Sequence, residues 1–214
     1  MKPIICYVTG RESLGVGNSG ESLLARVRAA VAAGVDWVQI RERDMTASEL
    51  LALTKAAIAA ARGNARILVN DRLDVALAAG AAGVHLRATS VPAGETVRWL
   101  RANHAPTDFL VGVSCHSLEE ARHAEEAKAN YVFFGPVFET PAKKKFGPPQ
   151  GVAKLGEVCR SLRIPVIAIG GINEANAGEC LQAGASGIAA IRIFQEMGEA
   201  ELKTALVRIR GSSR

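Results

Sequence analysis

Eight short apolar runs, each followed by a longer amphipathic stretch, constrain this chain more than any other feature. The runs fall at residues 4–9, 37–41, 67–70, 83–86, 110–114, 131–134, 166–169 and 187–191. They are rich in Val and Ile and apolar nearly throughout, as strands buried on both faces must be. The stretches 21–33, 47–62, 73–79, 94–103, 117–127, 151–162, 174–183 and 198–210 carry helical patterning. Several open on a capping residue: Thr46, Ser117 with Glu120 three positions on, or Asn173. Gly34, Gly80 and Gly184 each close an Ala-rich helix end just before a strand, where a left-handed residue ends a helix. Eight strand–helix units with short links predict an α/β fold, a (β/α)8 TIM barrel. An open doubly wound sheet is the runner-up, but it rarely needs eight regular units in 214 residues. With no linker or low-complexity tract, residues 1–214 read as one domain.

Composition matters mainly for what it excludes. The balance of 26 basic to 21 acidic side chains gives a net charge of +5, yet only Lys143-Lys-Lys145 forms a run. Aromatic residues make up 5%, too few for a base-stacking platform, so a nucleic-acid surface is not expected. A mildly basic enzyme with an anionic substrate fits better. Cys6, Cys115, Cys159 and Cys180 are far apart, with no Cys-x-x-Cys pair, so free thiols are the default. No run approaches membrane-spanning or signal-sequence length, and a cytoplasmic protein with no membrane partner is expected.

In a barrel the site is built from the loops after the strands. Reading those ends in order gives Gln39, Arg41, Glu42, Arg43 and Asp44; then Asn70, Asp71 and Arg72; then His85 and Arg87; then Ser114 and His116. Thr140 and Lys143 follow the sixth run, Gly170-Gly171 the seventh and Arg192 the eighth. Alternation places Gln39 and Arg41 on one face with Arg43 continuing it, while Val38, Ile40 and Glu42 face the other way. Arginine offers a planar fork of donors suited to phosphate oxygens, although Glu42 and Asp44 could equally turn this into a salt-bridged rim.

Asn70-Asp71 at a strand end suits a Mg²⁺–phosphate assembly, because Mg²⁺ takes few protein oxygens plus substrate oxygens and water. The same pair could simply cap the helix that starts at 73. Gly170-Gly171 leaves backbone N–H groups open to an anion where the seventh strand meets a helix. His116 could act as acid or base near neutral pH, or merely begin a helix. His85 reads as a satisfied core residue, and His104 and His123 as surface positions. Phe134-Gly-Pro, followed by Thr140 and the three lysines, is an apolar strand opening onto a basic loop, in which Lys143-Lys-Lys-Phe-Gly-Pro-Pro149 is either a lid or an ordinary surface loop.

Together, Val38-Gln-Ile-Arg-Glu-Arg43, Val69-Asn-Asp-Arg72, Gly83-Val-His-Leu86, Val113-Ser-Cys-His-Ser117, Phe134-Gly-Pro-Val-Phe138 and Ala168-Ile-Gly-Gly-Ile172 resemble the thiamin phosphate synthase family, which also contains thiazole tautomerases. The resemblance runs from about Tyr7 to Ile193. It implies a barrel, commonly a homo-oligomer, that joins hydroxymethylpyrimidine pyrophosphate to thiazole phosphate and releases pyrophosphate with Mg²⁺. On matching positions Arg41, Arg43, Asn70, Ser114 and Lys143 would hold pyrophosphate. Gln39 would contact the pyrimidine and Asp71 would be a Mg²⁺ ligand. Thr140 and the backbones of Gly170-Gly171, Ile191 and Arg192 would hold the thiazole phosphate.

The sequence departs from this pattern in one place that bears on the metal. Family synthases follow the strand-4 His-Leu with Gly-Gln-x-Asp, whose Asp is the second Mg²⁺ ligand; this chain reads Arg87-Ala88-Thr89-Ser90. Arg43 stands where the family carries lysine, and Arg192 where it carries a small residue. These changes keep a rival open. A thiazole tautomerase of the same family needs neither pyrophosphate nor metal and would use His116 as its acid/base. A barrel retained as a non-catalytic phosphate-ligand sensor is the third reading.

Overall fold

The computed structural model describes residues 2–14, 20–140 and 148–212. Eight strands run β1 (Ile4–Val8), β2 (Trp37–Ile40), β3 (Arg66–Asn70), β4 (Gly83–Leu86), β5 (Leu110–Cys115), β6 (Tyr131–Phe134), β7 (Val166–Ile169) and β8 (Gly187–Ala190). Each pairs in parallel with the next, and β8 returns to β1, closing an eight-stranded barrel. The helices are α1 (Gly20–Ala32), α2 (Ala47–Ala61), α3 (Leu73–Ala79), α4 (Ala93–Ala102), α5 (Leu118–Glu126), α6 (Gly151–Ser161), α7 (Ala177–Gln182), α8 (Arg192–Glu196) and α9 (Glu199–Gly211), with a 3₁₀ turn at Arg11–Leu14. The expected (β/α)8 TIM barrel is therefore the observed fold.

Local chemistry explains why the elements begin and end where they do. Thr46 caps α2 with a complete capping box: its side chain accepts from Glu49 N and the Glu49 carboxylate accepts from Thr46 N. Ser117 caps α5 by accepting from Glu120 N. Gly80 ends α3 at φ 71°, where a side chain would be strained. Asn173 does not cap a helix directly. Its Oδ1 accepts from Ala175 N at 2.9 Å and Asn176 N at 3.1 Å, forming a turn that delays α7 to Ala177. The sequence pattern had extended that helix back to 174 because an Asx turn and a helix start look alike in one dimension.

Side-chain alternation divides the apolar residues into two sets. Ile5, Tyr7, Val38, Ile40, Val69 and Val84 point out of the barrel and form the main core with the helices. Cys6, Val8, Trp37, Leu68, Tyr131, Phe133, Ile167 and Ala189 point inward and form a second cluster that fills the barrel. Gly112 makes room there: a Cβ at that position would lie 2.0 Å from the Tyr131 ring. Trp37 and Tyr131 pack as tilted rings 4.8 Å apart between centroids, and His85 and Phe133 at 4.2 Å. The barrel is thus a plugged cup, and polar inward positions lie above the plug, toward the carboxyl ends of the strands.

Candidate active site

The inward positions that carry polar side chains are Gln39, Asn70, His85 and Ser114, on four consecutive strands. Gln39 and Asn70 are buried and joined by a bond from Gln39 Nε2 to Asn70 Oδ1 of 3.1 Å. His85 is buried, with Nε2 at 2.9 Å from Ser114 Oγ and Nδ1 at 3.1 Å from Tyr131 Oη. Burial pushes its pKa down to about 3, so the ring is neutral. The reading of His85 as a satisfied core residue is correct, and its role is larger than that. A chain Tyr131–His85–Ser114 runs from the plug to the mouth and fixes the Ser114 hydroxyl.

Above this floor the strand-2 arginines meet a different environment from the one alternation suggested. β2 ends at Ile40, because the Arg41 N–H is taken by Thr9 Oγ1 at 2.9 Å rather than by a ladder partner. Arg43 therefore does not continue a strand face; it lies exposed in the following turn. Arg41 is half-buried, and burial together with the neighbouring Arg43 lowers its pKa from the ordinary guanidinium value. Glu42 is the buried member of the segment. It accepts from Thr9 Oγ1 at 2.6 Å and Arg11 N at 3.1 Å, and Arg11 also pairs with Asp44. Burial raises the Glu42 pKa against those hydrogen bonds. The carboxylate next to the arginines thus ties the first loop to the second, and sequence alone could not show that link because Thr9 and Glu42 are 33 residues apart.

Asp71 sits in a left-handed conformation, φ 67°, with its N–H bonded to His85 O at 2.9 Å. Its carboxylate accepts from the Arg87 guanidinium and the Ser90 hydroxyl. Partial burial works against the charge, but Ser90 and Arg87 outweigh it and hold Asp71 below the usual carboxylate range. It does not cap α3; Arg72 occupies that position without a side-chain cap bond. Arg87 was recognised only as one of the strand-end cations, and its pairing with Asp71 is what the sequence concealed.

On the opposite side the mouth is made largely of backbone. Gly170 and Gly171 have φ of 96° and 69°, and a Cβ on Gly171 would lie 2.5 Å from Glu139 O. Phe138 N donates to Gly170 O at 3.0 Å, and Asn176 Nδ2 to Gly171 O at 3.0 Å. The glycines do not open a helix directly, since α7 starts six residues later. The helix N-terminus on this side is instead that of α8, with Ile191 at its N-cap and Arg192 first in the helix. This short extra helix after the last strand was missed because five residues give too little periodicity to read. Thr140 is half-buried nearby in sequence to the Phe138–Gly170 contact, and Arg192 is exposed. His116 lies half-buried beyond β5, its Nδ1 against Gly135 O and its backbone N–H on Glu120 Oε2 at 2.5 Å. Lys143 and the lid candidate as far as Gly147 lie outside the described residues.

Known proteins share this barrel. The thiamine monophosphate synthase family matches residues 5–194. This chain belongs to that family. A putative thiamine-phosphate synthase of Geobacter sulfurreducens is 44% identical over 185 residues, covering 86% of this chain and 83% of its own. A thiamine-phosphate synthase of Methanoculleus marisnigri is 38% identical over 208 residues, covering 95% and 92%. Among solved structures, thiamine phosphate pyrophosphorylase from Pyrococcus furiosus superposes with a TM-score of 0.81 at 31% identity, covering 98% of this chain and 95% of that one. A 3-hexulose-6-phosphate synthase, at 18% identity and a TM-score of 0.67, shares the thiamine monophosphate synthase family's fold.

Proposed function

We propose that this protein is a thiamin phosphate synthase, a transferase of thiamine biosynthesis that couples hydroxymethylpyrimidine pyrophosphate to thiazole phosphate. The observation that carries this reading is the polar floor Gln39–Asn70 and His85–Ser114 under Arg41 and Arg43, at the mouth of a barrel of this family. In the reaction the bond between the pyrimidine methylene carbon and the pyrophosphate oxygen breaks, and its electron pair leaves with pyrophosphate. The pyrimidine-stabilised cation is then captured by the lone pair of the thiazole nitrogen, which forms the new C–N bond. No protein nucleophile is needed; what the step asks for is fixed positive charge where the leaving group gathers negative charge.

Arg41, Arg43, Asn70, Ser114 and Lys143 supply donors to the pyrophosphate, and Gln39 orients the pyrimidine. Thr140 and the backbone at Gly170, Gly171, Ile191 and Arg192 hold the thiazole phosphate, in the manner of barrel phosphate sites after strands 7 and 8. The family resemblance implies Mg²⁺, with Asp71 as ligand. The donor set does not fit it well: both Asp71 oxygens are engaged by Arg87 and Ser90. Among the described residues no three His, Cys, Asp or Glu side chains gather as a metal site. No step is therefore assigned to the metal. A single cytoplasmic barrel domain that assembles as a homo-oligomer completes the proposal. Among the described residues no helix is long and apolar enough to cross a membrane.

One observation favours a second reading, the thiazole tautomerase. With Nδ1 of His116 held on Gly135 O, its Nε2 is left to exchange a proton with a substrate. The deciding experiment is a product assay with hydroxymethylpyrimidine pyrophosphate and thiazole phosphate, with and without Mg²⁺. Thiamin phosphate formation supports the synthase. Folded protein that forms none, but interconverts thiazole carboxylate phosphate isomers, overturns it in favour of the tautomerase. Ligand-induced stabilisation without either product identifies a sensor.

A further inference from the structure

The loop after β4 places a guanidinium against Asp71, a carboxylate at the mouth of the barrel. Arg87 N donates to Ser90 Oγ at 2.7 Å, and Ser90 N donates to Arg87 O at 3.0 Å, so the four residues form a closed turn. That turn aims both side chains at Asp71: the Ser90 hydroxyl donates to one oxygen and Arg87 Nη2 to the other. Asp71 is itself pinned by its N–H to His85 O at 2.9 Å, so the cluster is tied to strands on both sides.

Three features of this cluster point the same way. Its polar side chains are one carboxylate, one hydroxyl and one cation, whereas Mg²⁺ asks for anionic or neutral oxygens around a near-octahedral shell. A divalent ion entering at Asp71 would have to displace Arg87 in a region that already holds Arg41 and Arg43, whose charges act on one another. Finally, Arg87 Nε is buried without a partner among the described residues. A buried N–H left unbonded costs stability unless something else accepts from it. A guanidinium has five donors in a planar fork and matches two phosphate oxygens at once, and the Asp71 bond fixes one edge of that fork.

Resting on the reading of this mouth as a pyrophosphate site, we propose that Arg87, oriented by Asp71 and Ser90, takes the place of the divalent metal as the counter-charge for pyrophosphate. The bond that breaks and the electron pair that leaves are those of the synthase reaction; Arg87 contributes charge and hydrogen bonds and gains or loses no proton.

The test is calorimetric titration of the full chain with inorganic pyrophosphate, first in chelator and then with added Mg²⁺. The wild type should bind in chelator, with an affinity within about threefold of that with Mg²⁺. Arg87→Ala and Arg87→Gln should each weaken binding in chelator by roughly 10–100-fold, the worth of a lost charge-assisted fork. Arg87→Lys should recover part of that loss. Circular dichroism melts establish that each variant is folded, and Arg87→Gln, which keeps the side-chain bulk, carries the test if Arg87→Ala does not fold. The double variant Arg87→Gly with Ser90→Asp should bind pyrophosphate only when Mg²⁺ is added. Wild-type binding that requires Mg²⁺, or unchanged affinity in folded Arg87 variants, overturns the proposal. Turnover is read separately. Metal-free pyrophosphate binding through Arg87 without thiamin phosphate formation would sink the assigned activity and leave this site standing.

Discussion

The two sides of the barrel mouth are built by different means. From β2 to β5 the surface is made of side chains that hold one another: Gln39 on Asn70, His85 on Ser114 and Tyr131, Arg87 and Ser90 on Asp71. From β7 to β8 it is made of backbone, with two left-handed glycines and the N-terminus of α8. The difference fits the charges each side is proposed to hold. A pyrophosphate that departs needs charge from several directions, and side chains can supply it. A monophosphate that only anchors its substrate is served by N–H groups and a helix end, where the identity of the side chains matters little.

That contrast can be broken first at Arg41. In the synthase assay, Arg41→Ala should lower kcat/KM by about 10²–10³, the usual effect of removing one donor from developing negative charge. An effect of less than tenfold would mean that the side-chain half does not carry the charge. The buried floor is probed by pH. His85 is depressed to about 3 when folded, against about 6.5 when unfolded. Below the unfolded value the unfolded chain binds a proton the folded one refuses, so stability falls as pH falls between these limits. Chemical denaturation at pH 7 and pH 5 should show a loss of roughly 2 kcal/mol from this group, and His85→Gln should remove that part of the slope.

The backbone half is sharpened by smaller changes. Gly171→Ala forces a side chain into φ 69° and against Glu139 O. It should raise the KM for thiazole phosphate by about tenfold and lower the melting temperature, with less effect on the KM for the pyrimidine pyrophosphate. Arg192→Ala should change kcat/KM by less than about threefold, because its side chain is exposed and the helix end it begins remains. A larger loss there would show that this arginine grips the phosphate directly and that the two sides are less distinct than the geometry suggests.

Much of this was legible in sequence, for identifiable reasons. Parallel strands buried on both faces read as plain apolar runs, and β4, β6 and β7 begin and end at the expected residues. Caps at Thr46 and Ser117 were readable because their partners lie three residues away. Gln39 could be placed because alternation along a strand is local, and Asn70 and Ser114 because each ends an apolar run. What escaped was settled across the fold. The Thr9 hydroxyl, which accepts from Arg41 N and donates to Glu42, stops β2 short and turns Arg43 out of line. Arg87 reaches Asp71 over 16 positions. The departure of residues 87–90 from the family pattern was visible, but only the structure gave the substituted arginine a partner.

The tilted, closely packed rings of Trp37, Tyr131 and Phe133 behind His85 give the barrel a solid floor. A vessel closed at the bottom has one doorway. A molecule held at Gln39, Asn70 or Ser114 must therefore enter and leave through the same ring of loops after the strands.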